Sequence, residues 1–221
     1  MRFTYEVELT AFLMRRLSRA FGTSKASIAT YVNLPIGDVT PDLVMVTKSN
    51  RSLKAIQARL SAFDCWVLSE LRRSRPRTTT DLAEALFSTE GQIIASINRL
   101  ERLHLAAGST AGHILRVSKS SLNTAVTAIE SKLERWREAL DQALAYRRFA
   151  NWVYVAMPLA KALGTSRLLQ SCRSTGVGLI GVDRRRTSIL VTARWQRLSS
   201  PEWFWTISKT IGLEARNLGR R

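Results

Sequence analysis

Near-continuous apolar runs of strand length alternate along this chain with stretches whose apolar residues recur at helical spacing. Leu43-Val44-Met45-Val46, Ala125-Val126-Thr127-Ala128-Ile129, Trp152-Val153-Tyr154-Val155-Ala156-Met157 and Val177-Gly178-Leu179-Ile180-Gly181-Val182 are of the first kind, which predicts short buried strands. Ser188-Ile189-Leu190-Val191-Thr192-Ala193 predicts one more, joined to its predecessor by the turn Asp183-Arg184-Arg185-Arg186-Thr187. Between them, residues 133–149 set Leu133, Trp136, Leu140, Ala143 and Leu144 on one helical stripe. Residues 163–172 read as another helix, and Leu9-Thr10-Ala11-Phe12-Leu13-Met14 as the body of a first one.

The middle of the chain has a different grain. Leu60, Phe63, Val67 and Leu71 keep helical spacing up to a basic break at 72–77, and Thr79-Thr80-Asp81-Leu82-Ala83-Glu84-Ala85-Leu86 reads as a short capped helix. Ser88-Thr89-Glu90 opens a third helix that turns Ile93, Ile97, Leu100 and Leu103 inward and sets Gln92, Ser96 and Arg99 on the opposite face. Residues 105–117, with two apolar runs around Gly108 and Gly112, outline a hairpin.

Two acidic sites stand at the edges of apolar runs. Asp42 follows Thr40-Pro41, and Glu130-Ser131-Lys132 closes 125–129. Strand alternation sends Glu130 and Lys132 to one side and Ser131 to the other. If the strand after Asp42 pairs beside this one, the two carboxylates converge within about 4–5 Å, and their repulsion at an effective dielectric near 20 is roughly 3–4 kcal/mol. That cost favours a bound cation or a proton. Hard oxygen ligands suit Mg²⁺ or Mn²⁺, which neutralise a phosphodiester and acidify an attacking water, with Lys132 beside them to orient that water or offset developing charge.

Acidic hairpin, Glu-x-Lys, amphipathic helix and buried strand, in that order, resemble the PD-(D/E)XK nuclease superfamily, over residues 1–48 and 124–198. The resemblance implies an α/β fold, a mixed-sheet restriction-endonuclease-like core flanked by helices. It implies Asp42 and Glu130 as metal ligands, Lys132 as the catalytic cation and an acid on the first helix, for which Glu8 is the choice and Glu6 competes. Gln142 corresponds to the polar helix residue that some members aim at the site.

The gap of about 88 positions between Asp42 and Glu130 is far longer than a hairpin loop needs, so something folded occupies it. Three helices and a hairpin resemble a winged helix-turn-helix domain, placed at 51–118 and splitting the core into 1–50 and 119–221, with polar junctions at 48–57 and 118–123. That resemblance implies Gln92, Ser96, Arg99 and Arg102 as groove-facing residues of a recognition helix, Gln and Arg being side chains that read adenine and guanine edges.

Charge fits the same partner. The chain of 221 residues carries 34 Lys+Arg against 17 Asp+Glu, a formal net charge of +17, which attracts polyanions and supplies non-specific nucleic-acid affinity. Arg184, Arg185 and Arg186 suit a phosphate-facing turn, with a solvated hairpin tip as the competing reading. Trp203 and Trp205 could stack on bases, but their helical spacing and apolar neighbours favour packing or a dimer contact.

Other chemistries lack material. His104 and His113 are the only histidines, Cys65 and Cys172 the only cysteines, and no Walker-type loop is present, which removes a His-ligated zinc centre, a Ser-His-Asp triad and phosphate-loop ATPase chemistry. Gly176-Val177-Gly178-Leu179-Ile180-Gly181 spells a nucleotide-binding pattern but enters a strand rather than a helix. The absence of a leader or membrane-length apolar run gives a cytoplasmic expectation without membrane attachment. The expected function is thus Mg²⁺- or Mn²⁺-dependent hydrolysis of DNA, duplex favoured, with a homodimer or protein partner accommodated by the winged helix or the Trp-rich C-terminal segment. The alternatives are a non-catalytic DNA-binding or assembly protein on the same scaffold, and an RNA-processing subunit.

Overall fold

The computed structural model describes residues 3–20, 26–49, 60–72, 75–115, 124–198 and 200–218. In chain order its elements are α1 (Glu6–Ala20), β1 (Ala26–Val32), β2 (Leu43–Ser49), α2 (Ala62–Leu71), α3 (Thr79–Ala85), α4 (Glu90–Arg102), β3 (Ala106–Ser109) and β4 (Gly112–Leu115). There follow β5 (Ala125–Ser131), α5 (Trp136–Ala145) with a 3₁₀ turn at Tyr146–Arg148, β6 (Trp152–Pro158), α6 (Leu159–Gly164), α7 (Ser166–Thr175), β7 (Gly178–Val182), β8 (Thr187–Val191) and α8 (Pro201–Leu218). The helix expected over 163–172 is a pair, α6 and α7, and the stripe from Leu133 becomes helical only at Trp136. Among the described residues no helix is long and apolar enough to cross a membrane.

These elements form two compact units. The first comprises Met1–Thr47 and Ala125–Leu198; the second comprises Lys48–Thr124 and Ser199–Arg221. Residues 199–221, which the sequence reading gave to the core, therefore belong with the insertion. The reason is apolar packing: α8 lies against α2 and buries Trp203, Phe204 and Ile207, and Ser208 Oγ accepts the Leu60 N–H at 3.1 Å. Trp203 is a packing residue because it is buried, with the Arg72 guanidinium 4.9 Å from its ring centre. The expected junction at 118–123 and most of that at 48–57 lie outside the described residues.

The first unit is a six-stranded mixed sheet in the order β1-β2-β5-β6-β7-β8. β2 runs antiparallel to β5, β5-β6-β7 are parallel, and β8 returns antiparallel to β7. The central strands are apolar almost throughout because helices cover both faces. Leu9, Leu13 and Leu17 of α1 meet Leu43, Met45, Ile129, Tyr154, Ala156, Ile180 and Val182 on one face. By alternation, Val126, Ala128 and Glu130 point to the other, which α5 covers with Ala139, Leu140 and Ala143. Gly178 is small for a packing reason: a Cβ there would lie 2.2 Å from the Tyr154 ring. That contact, and the turn after Val182, dispose of the nucleotide-loop spelling.

In the second unit each of α2, α3 and α4 begins with a capping box, Ser61 with Asp64, Thr78 with Asp81, and Thr89 with Gln92. Each satisfies two otherwise orphaned backbone donors. β3 and β4 pair antiparallel, Ala106 with Leu115 through Ser109 with Gly112. Arg77 and His113 exchange backbone hydrogen bonds at 3.0 and 2.7 Å, which binds this hairpin to the segment before α3.

Candidate functional site

The ladder between β2 and β5 pairs Leu43 with Ile129. One step further along an antiparallel ladder, residue 42 faces residue 130 on the same side of the sheet. Asp42 and Glu130 are neighbours for that reason. Asp42 Oδ2 accepts the Ser131 N–H at 2.8 Å, and the Lys132 N–H donates to Ala156 O at 3.0 Å, so the strand end that carries Glu130 is held from both sides.

Lys132 Nζ lies 3.1 Å from Glu130 Oε1, 3.4 Å from Glu6 Oε2 and 4.0 Å from Glu138 Oε1. The Tyr146 hydroxyl donates to Glu130 Oε2 at 2.6 Å. Glu130 and Lys132 are buried. Burial raises the Glu130 carboxyl above the usual carboxylate range, and the Asp42 charge adds to the rise while Tyr146 and Lys132 oppose it. Burial raises Asp42 as well, against the Ser131 N–H and Lys132, with Glu6 adding to it. For Lys132 burial alone would lower the ammonium, but the Glu130, Glu6 and Asp42 carboxylates outweigh it and hold its pKa above the usual value. Lys132 is therefore a persistent cation.

Of the two acids in the first turn of α1, Glu6 is the one that reaches Lys132. Two residues apart on a helix, their side chains diverge by about 200°. Glu6 turns to Lys132, whereas Glu8 Oε2 accepts the Thr4 N–H at 2.9 Å and lies 4.0 Å from Arg184. Gln142 is exposed. Four residues later, in the 3₁₀ turn that follows α5, comes the buried Tyr146, the residue that does reach the site and that the sequence reading missed.

The donor set fits a small hard cation. Among the described residues no group of three or more His, Cys, Asp or Glu could hold a metal ion; Mg²⁺, however, is commonly held by one or two carboxylates together with water and phosphate oxygens. Asp42 and Glu130 are two such carboxylates, the Asp42 charge adding to the rise of Glu130. The thiols are inert by contrast, since burial pushes Cys65 up to about 12 and Cys172 up to about 11.

Parallel-strand geometry puts further cations at this end of the sheet. Glu130 is the penultimate residue of β5, and the turn at 183–186 follows β7, two strands and about 10 Å away. Asp183 Oδ1 accepts the N–H groups of Arg185 and Arg186 at 2.7 and 2.8 Å, which shapes the turn. Arg185 and Arg186 are exposed, Arg186 beside Asp183 at 3.7 Å, while Arg184 lies over the Phe3 ring.

The expected base-reading face of α4 is largely occupied. Ile93, Ser96, Ile97 and Leu100 form one helical stripe, so Ser96 is buried and donates its hydroxyl to Asp64 Oδ1 at 2.7 Å; it cannot enter a groove. Arg99 Nε pairs with Asp64 at 3.0 Å while remaining half-exposed. Gln92 serves the α4 cap, accepting from Ser88 Oγ at 2.6 Å. Arg102 is exposed, with Nε donating to Asn98 O at 3.3 Å.

No protein-family model and no curated protein matches the chain. A solved structure, the SPO1766 protein of unknown function from Silicibacter pomeroyi, aligns over 99% of this chain and 92% of that chain at 10% identity with a TM-score of 0.47. A likeness at that score fixes neither the fold nor the function.

Proposed function

We propose that this chain is a metal-dependent nuclease that hydrolyses DNA phosphodiester bonds, with a restriction-endonuclease-like core and an inserted winged-helix unit that positions the nucleic acid. The observation that carries the reading is the ladder register that sets Asp42 across from Glu130 with the Lys132 ammonium 3.1 Å from Glu130. The succession α1, β1-β2, β5, α5, β6 and the +17 charge support it. Asp42 and Glu130 would hold Mg²⁺ or Mn²⁺, and when bound the ion supplies Lewis-acid neutralisation of phosphate charge. Lys132, kept protonated by its carboxylates, acts as an electrostatic stabiliser of negative charge on the phosphate and cannot serve as a general base at neutral pH. Tyr146 fixes one Glu130 oxygen and so the direction of the other.

A second reading has its own observation. Tyr146 and Lys132 engage both Glu130 oxygens, so the lysine can substitute for a metal charge, and exposed Phe87 and Ile94 in the second unit suit protein contact. On that reading the scaffold binds or assembles without cutting.

Purified protein with Mg²⁺ or Mn²⁺ should nick or cut DNA, and Lys132→Ala should abolish cutting while sparing binding. Calorimetry should register Mn²⁺ binding that Asp42→Asn removes. Wild-type protein that binds yet never cleaves DNA or RNA, and takes up no Mn²⁺, ends the enzyme reading in favour of the second.

A further inference from the structure

Beside the carboxylate cluster, where the chain leaves β5 and β6 at the carboxyl ends of two adjacent parallel strands, lies a cleft of about 560 Å³. The start of α5 contributes Trp136, Arg137 and Glu138, and the region of α6 contributes Lys161 and Thr165. Glu138 is common to cleft and cluster, since its carboxylate is 4.0 Å from Lys132 Nζ.

The lining has the chemistry of nucleotide recognition. Trp136 supplies an aromatic surface, and the Arg137 guanidinium carbon lies over its ring, 4.8 Å from the centre. Arg135 pairs with Glu138 at 2.8 Å and offsets its charge. Among the described residues no carboxylate pairs with Arg137 or Lys161, and both are exposed. Glu134 also lines the cleft. The volume falls within the roughly 300–1,000 Å³ that holds one small ligand.

We propose that this cleft takes one unpaired nucleotide of a single strand, its base against Trp136 and its phosphates at Arg137 and Lys161, and so delivers the adjoining phosphodiester to Asp42 and Glu130. The second half of that statement rests on the nuclease reading. A base inside a duplex has both faces stacked and can offer neither to an indole, so the occupant is a single strand, a frayed end or a nucleotide turned out of the helix.

The test is binding of the full chain to a five-residue oligothymidylate and to a blunt duplex, measured by fluorescence anisotropy in EDTA at one fixed salt concentration. Wild-type protein should bind the oligothymidylate; Trp136→Ala should weaken that binding about tenfold or more and Trp136→Phe should restore most of it. Lys161→Ala should weaken it less and flatten its salt dependence. Blunt-duplex affinity of the Trp136 variants should stay within about twofold of wild type, by the same stacking argument. No binding of the oligothymidylate by wild type, undiminished binding by Trp136→Ala, or an equal loss on the duplex overturns the proposal. Should Trp136→Ala melt early, the exposed Lys161 decides: unchanged affinity and salt slope in Lys161→Ala also overturn it. Because EDTA removes cleavage from the readout, failure of the nuclease reading appears separately, as intact DNA in Mg²⁺ or Mn²⁺ despite normal strand binding.

Discussion

Tyr146 and Glu130, 16 positions apart, meet in a buried hydrogen bond of 2.6 Å in which the phenol donates to the carboxylate. The 3₁₀ turn that ends α5 carries the tyrosine to the face of β5 opposite α1. Both groups titrate away from their ordinary values: burial and the Glu130 charge raise Tyr146, and the phenol restrains the rise of Glu130.

Tyr146→Phe keeps the ring and its packing 5.8 Å from Phe149 but removes a donor to a charged acceptor, a loss of about 1.5–3 kcal/mol. The melting temperature should fall accordingly. A positioning role adds a signature that packing alone would not give: without the phenol the Glu130 carboxyl rises further, so the acid limb of the cleavage pH profile should move to higher pH. A variant that melts early with an unmoved acid limb would make Tyr146 purely structural.

Asp42 and Glu130 have folded-state pKa values above their unfolded ones, chiefly from burial. A raised carboxyl contributes stability below its unfolded pKa and loses it as pH rises through the folded value. At neutral pH the ionised pair therefore costs stability. Asp42→Asn can still accept the Ser131 N–H, and should raise the melting temperature at pH 7 by about 2–4 °C, the shift for roughly 1 kcal/mol in a chain of this size. The difference should shrink as pH falls through the carboxylate range. Mn²⁺ should stabilise wild type and leave the variant unchanged; a lower melting temperature for the variant at pH 7 would contradict the account.

Asp64 holds the second unit together from α2. It accepts from the Ser61 N–H at 2.9 Å, Ser96 Oγ at 2.7 Å and Arg99 Nε at 3.1 Å. Burial would raise its carboxyl, but these hydrogen bonds outweigh burial and hold it below the usual range. Such a group contributes stability above its unfolded pKa and loses it as pH falls through the folded value. Asp64→Ala should cost about 2–3 kcal/mol at neutral pH, since it leaves the buried Ser96 hydroxyl unpartnered, and Arg99→Ala should cost less because Arg99 is half in water. Melts at pH 7 and pH 3 should show the Asp64→Ala penalty narrowing in acid; an equal penalty at both would assign it to packing.

What the sequence determined by itself was local and periodic. Apolar runs marked β2, β5, β6 and β7, the three capping boxes set the starts of α2, α3 and α4, and Glu-x-Lys at a strand end put two opposite charges on one face, because alternation and capping depend on neighbours a few residues away. Tertiary structure decided the rest. Only the β2–β5 register could bring Asp42 to Glu130 across the insertion, and only the rotation of α1 could select Glu6 over Glu8, both acids being equally legible in its first turn. Ser96 was readable as buried from its stripe with Ile93, Ile97 and Leu100; Tyr146 was not, since a 3₁₀ turn aims it. The assignment of α8 to the second unit had no local signal either, because an amphipathic helix states which face it buries and leaves unsaid which partner covers it.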